Sequence, residues 1–120
     1  MEIKIKPVGK PRQTQRDRWK ERPVVLRYRR FADDLRKETS EQDFQLSERV
    51  GMEFYMPMPK SWSGKKKDRM NMHPHQQRPD IDNLIKSVMD ALLAEDKKIY
   101  YIVASKWWNY EGRIKLINIG

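Results

Sequence analysis

Residues 78–93, Arg-Pro-Asp-Ile-Asp-Asn-Leu-Ile-Lys-Ser-Val-Met-Asp-Ala-Leu-Leu, set Asp80 and Asp82 on either side of Ile81, with Lys86 one helical turn further on. They do so in a chain of formal net charge +9. Two carboxylates at this spacing can point the same way at a turn or a helix mouth. That suits a hard cation such as Mg²⁺, which takes few protein carboxylates and keeps several waters for a substrate phosphate. The same residues also have an architectural reading. An Asp at a helix N-cap satisfies orphan N–H groups and the helix dipole, and Asp82 with Lys86 is an ordinary i, i+4 ion pair. That account covers Asp82 and Lys86 without requiring Asp80, and a single D-x-D is a weak signal by itself.

The elements that must hold these residues follow from periodicity. Leu84, Ile85, Val88, Met89, Leu92 and Leu93 form a wide apolar stripe, so the motif lies on an amphipathic helix packed against a sheet. Asp82, Lys86 and Asp90 then share the exposed face, and Asp80 precedes the helix. Ile3 and Ile5 alternate with charged residues as a strand closed by Pro7, Gly9 and Pro11. From Val24 to about Lys37, Val25, Tyr28, Phe31, Ala32 and Leu35 fall at helical spacing behind Pro23. Residues 38–47 are polar and read as a connection. Val50, Met52, Phe54 and Met56 alternate as a strand stopped by Pro57 and Pro59. Ile99 to Tyr110 is too β-branched and aromatic for a preferred helix and is the longest strand; a turn at 109–112 returns it as Arg113 to Ile119. This order predicts one α/β (α+β) domain over 1–120, a mixed sheet of about four strands with two main helices packed on it.

Between these elements lie two basic segments. Lys10, Arg12, Arg16, Arg18, Lys20 and Arg22 surround Trp19 in the first, and Lys60, Lys65, Lys66, Lys67, Arg69 and Arg78 run through the second directly into the acidic motif. Such loops suit phosphate tracking with an aromatic available to stack, although a solvated charged loop has the same composition. A pI near 9.9 makes nucleic acid the leading partner. No cysteine is present, which excludes disulfides and thiolate metal sites. The first residues lack the apolar core of a signal peptide and no stretch is long and apolar enough to span a bilayer, so a cytoplasmic protein is expected. His73-Pro74-His75 has no further ligands at a recognised metal spacing and reads as exposed or near phosphate. Trp107 and Trp108 must face opposite sides of their strand, one of them toward the core.

The run Arg78-Pro79-Asp80-Ile81-Asp82-Asn83-Leu84-Ile85-Lys86, followed by Asp90-Ala91-Leu92, resembles the signature of the RusA-type Holliday junction resolvases, homodimeric Mg²⁺-dependent endonucleases of bacteria and their prophages. Gly9-Lys10-Pro11-Arg12 after the first strand is similar to that family's basic loop, and the order of elements and the length agree. The resemblance implies that Asp80 and Asp82 bind the metal and that Lys86 lies near the scissile phosphate. It also implies a third acid in the pair Glu95-Asp96, with Asp96 the first candidate and Glu95 the alternative. The connection from Leu92 to Glu95 is shorter than the family's usual segment. The competing reading is a non-catalytic, structure-selective DNA-binding protein with a degenerate metal site.

Overall fold

The computed structural model of the chain describes residues 1–11, 22–93 and 97–120. Its elements run β1 (Glu2–Ile3), α1 (Pro23–Glu41), β2 (Arg49–Pro57), α2 (Gly64–Met70), α3 (Ile81–Leu92), β3 (Tyr101–Asn109) and β4 (Arg113–Asn118). The strands form one mixed sheet in the order β1-β4-β2-β3, in which β2 runs parallel to β3 and antiparallel to β4, and β1 is antiparallel to β4. This is the expected α+β arrangement.

Register explains which side chains meet the helices. Phe54 lies opposite Ile114 of β4 and Lys106 of β3, and Met52 lies opposite Leu116 and Ala104. Side chains alternate along a strand, so Ala104, Lys106 and Trp108 share a face with Val50, Met52, Phe54 and Met56. Phe31, Ala32 and Leu35 of α1 and Leu84, Val88 and Ala91 of α3 close over that face in a single buried cluster. The two helices are also tied by polar bonds: the Tyr28 hydroxyl donates to the Ser87 carbonyl at 3.0 Å, and Arg36 Nε donates to the Ala91 carbonyl at 2.7 Å.

Strand β3 begins at Tyr101 and, at nine residues, equals β2 rather than exceeding it, and two further elements differ from the sequence-based expectation. Helix α1 runs on to Glu41 because Thr39, although polar, turns its hydroxyl back to the Leu35 carbonyl at 3.0 Å and is buried. The second basic segment is not all loop. It contains α2, whose Ser63 N-cap accepts the Lys66 backbone N–H at 3.2 Å and which buries none of its residues.

After α2 the chain runs back along the outer edge of β3. Met72 N–H donates to the Trp108 carbonyl at 2.8 Å, Trp108 N–H to the His73 carbonyl at 2.9 Å, and His75 N–H to the Lys106 carbonyl at 3.1 Å. This covers the C-terminal half of that edge. From Tyr101 to Ser105 the outer edge has no partner among the described residues.

Candidate active site

Asp80 is the N-cap of α3. Its backbone is extended (φ −67°, ψ 151°), its carbonyl accepts the Leu84 N–H at 3.1 Å, and its carboxylate makes no capping bond. Asp82 stands in the first turn, where one carboxylate oxygen accepts the Asn83 N–H at 2.9 Å. Both residues are exposed, and neither takes part in a salt bridge among the described residues. The i, i+4 pair anticipated between Asp82 and Lys86 does not form. Lys86 lies instead 3.7 Å from Asp90, whose carboxylate also holds Lys10. The architectural account of the motif therefore leaves both Asp80 and Asp82 with oxygens to offer. Two exposed carboxylates are a donor set that fits Mg²⁺. Asp96 and its alternative Glu95 lie outside the described residues. Among those that are described, no three His, Asp or Glu residues form a group that could hold a metal ion.

The loop after β1 presses on the mouth of α3. A side chain at Gly9 would put its Cβ 2.7 Å from Asn83 Nδ2 and 3.0 Å from Pro79 Cβ, so any larger residue there must displace the Asn83 amide and crowd Pro79. Lys10 follows it onto Asp90, on the exposed face of α3. Arg12, Arg16 and Arg18, expected to contact DNA, lie outside the described residues. Lys65, Lys66, Lys67 and Arg69 are on α2. The Lys66 ammonium sits 4.3 Å above the Trp62 ring, and Trp62 packs on Trp108 with ring centroids 4.8 Å apart. Arg78 is exposed next to the acidic motif.

Between the β1–α1 loop, the start of α1, the end of β2 and the turn at 75–80 is a cleft of about 1110 Å³. Its described lining carries Lys6, Arg22, Arg27, Lys60 and Arg78 against a single acid, Asp80. The field in it therefore favours an anion, and it leads to the carboxylate at the helix mouth.

Two residues here carry no recognisable sequence signal. Lys106, on the helix-covered face of β3, donates to the carbonyls of Gln77 at 2.5 Å and Pro79 at 2.7 Å. Burial lowers its pKa, and the nearby Asp80 carboxylate works in the opposite direction. Lys106 is thus the tie that fixes the turn presenting Asp80. Lys106→Met leaves two carbonyls without this charged donor and should cost on the order of 1.5–3 kcal/mol, measured by urea denaturation. The second is His75. From its place in a basic segment it is expected exposed or near phosphate, but its backbone pairing with β3 draws the ring inward, where it is 4% exposed and 4.3 Å from the Trp108 ring. Trp108 is the core member of the tryptophan pair.

A small α+β domain in which a cationic cleft reaches Asp80, with a second accessible carboxylate at Asp82 in the next turn, has the layout of an enzyme that cuts phosphodiesters. The family model for the endodeoxyribonuclease RusA matches residues 4–118. The chain belongs to this family of Holliday junction-resolving endonucleases, enzymes of DNA recombination that in general depend on a divalent metal. The search of curated proteins found no match. No helix among the described residues is long and apolar enough to cross a membrane.

Proposed function

We propose that the protein is a Mg²⁺-dependent homodimeric endonuclease that resolves four-way DNA junctions by paired, symmetric nicks, with Asp80, Asp82 and Lys86 at its centre and Asp96 as the third acid. The observation that carries this reading is the pair of exposed carboxylates at the mouth of α3, free of salt bridges among the described residues, with Asp80 lining a cationic cleft. A protein that only bound DNA would gain nothing from negative charge where phosphates arrive. When bound, Mg²⁺ would polarise the phosphoryl oxygen and lower the pKa of a water. Hydrolysis adds that water across one P–O bond, leaving one phosphate end and one hydroxyl end. Lys86, exposed on the same face of α3 as Asp82, would offset charge accumulating on the phosphoryl oxygens. Arg78, Lys10 and the α2 lysines, with Arg12, Arg16 and Arg18, would hold the flanking backbone; such contacts position DNA without reading its sequence.

Two symmetric cuts call for two sites related by a two-fold axis, which a C2 dimer supplies. The open half of β3 suits self-pairing. Tyr101, Ile102 and Val103 are exposed there, and no charged residue occurs from Ile99 to Ser105 in this strongly basic chain. Antiparallel pairing of two such edges would join the sheets of the two protomers.

The test is nicking of four-way junction, linear duplex and flap substrates with Mg²⁺ and with EDTA, together with the mass in solution. Junction-selective paired nicks that vanish in EDTA, from a particle of twice 14.6 kDa, are expected. Binding without nicking would favour the non-catalytic reading. Equal cutting of flaps would replace the junction with a broader substrate class.

A further inference from the structure

We infer that the cleft beside Asp80 is a nucleotide pocket, which takes one unpaired base of the strand being cut and reads it with His75. The inference rests on the resolvase reading of the same site and adds to it a base-specific contact.

The floor and rim of the cleft differ in chemistry. Its lining includes an apolar surface of Val8, Val24, Pro57 and Pro59, half-buried or exposed, over the buried Met56 and Trp108 at the ends of β2 and β3. Phosphate alone would gain nothing from that surface, whereas every nucleobase has an apolar π-face that does. Around it stand the cations already named, which match the phosphates on either side of such a base. A volume of about 1110 Å³ gives room for a nucleotide with its flanking phosphates.

His75 supplies the specific element. It lines the cleft, it is more than nine-tenths buried, and its Nδ1 has no hydrogen-bond partner. A buried polar group left unmet is costly, and native proteins rarely keep one without use. Burial, and then the Lys106 charge, hold its pKa below the ordinary histidine value, so at neutral pH the ring is uncharged, with one nitrogen a donor and the other an acceptor. Gln77 and Asn83, whose amides each offer both functions, also line the cleft. Apolar support combined with a few donors and acceptors is how proteins that withdraw a base from its stack recognise it. An unpaired base is cheapest to obtain where pairing is already weakened, as at a branch point.

The test is a scan of four-way junctions, each carrying one abasic site at a successive position around the nick, with affinity measured in EDTA. One position should lose about 5- to 100-fold, the range for one stacked base, while the others stay within about two-fold. A flat scan would overturn the pocket and leave only backbone contacts. With each of the four bases placed in turn at the sensitive position, the wild-type protein should rank them. His75→Phe should lose the ranking, and Gln77→Ala, exposed and safe for folding, should alter it. A folded His75→Phe protein that keeps the ranking would remove His75 from the role. Free deoxynucleoside monophosphates should not abolish the position dependence; if they bind in place of the strand, the pocket serves a free nucleotide and the inference fails. The scan needs no cleavage. A sensitive position without Mg²⁺-dependent nicking would therefore sink the nuclease reading alone, and nicking with a flat scan would sink the pocket alone.

Discussion

Asp82→Asn should abolish Mg²⁺-dependent nicking of a four-way junction while leaving junction binding in EDTA intact. The substitution keeps the shape of the side chain and the oxygen that can accept the Asn83 N–H, so the first turn of α3 keeps its local bond. What disappears is one of two exposed negative charges available to a divalent cation. Loss of charge stabilisation in the reacting centre on this scale corresponds to about 4 kcal/mol or more of barrier, on the order of a thousand-fold in rate. Removing a negative charge that faces phosphate cannot weaken binding by repulsion, so affinity should hold or rise slightly. Nicking gels and gel-shift titrations on one junction read both quantities, and cleavage at the wild-type rate would falsify the assignment of Asp82.

Phe54→Ala should remove a large part of the stability of the fold. Phe54 is fully buried in β2, the strand that pairs with both β3 and β4, and it lies opposite Ile114 and Lys106 in the register. Truncating a buried phenylalanine costs about 3–5 kcal/mol, the sum of lost transfer energy and an unfilled cavity. Domains of this size are stable by about 5–15 kcal/mol in total. Equilibrium urea unfolding should show a midpoint sharply lowered with an unchanged slope. A shift under 1 kcal/mol would mean that the centre of the sheet is packed differently.

The apolar stripe of α3 made its buried face legible from sequence: Leu84 and Val88 are fully buried, and Asp82 and Lys86 remain exposed. The alternation in β2 was equally clear, and Ile114 and Leu116 of β4 lie beside Phe54 and Met52 on the same buried sheet face, although Ile117 blurs the period of β4 in the sequence. Helix α2 was hidden for the opposite reason. Gly-Lys-Lys-Lys-Asp-Arg-Met buries nothing, so no hydrophobic period marks it, and its one cue was Ser63 as a cap. Asp90 shows a different limit. Spacing along α3 suggested that Lys86 would meet Asp82, but Lys86 lies against Asp90 and shares it with Lys10, a residue eighty positions away in sequence. Lys106 and His75 were illegible because their roles come from which strand lies beside which segment. A lysine in a strand and a histidine in a basic loop carry no mark of the carbonyls or rings they will meet. The Asp80–Asp82 motif was readable as a candidate because its chemistry is local; its third acid falls on residues outside the described part of the fold.

The partial strap that residues 72–75 lay along β3 has a consequence for colloidal behaviour. A bare nine-residue strand at the rim of a sheet could recruit chain after chain into an open-ended ribbon. Here only the stretch before Lys106 can recruit, and one two-fold partner would occupy it completely. The opposite rim ends in β1, two residues long and flanked by charge, which is too short to template another chain. In the proposed dimer that stretch of β3 would be filled, leaving the short β1 at the rim among the described residues. Growth would stop at a closed pair, and the protein could carry a sticky edge at high concentration without forming fibres.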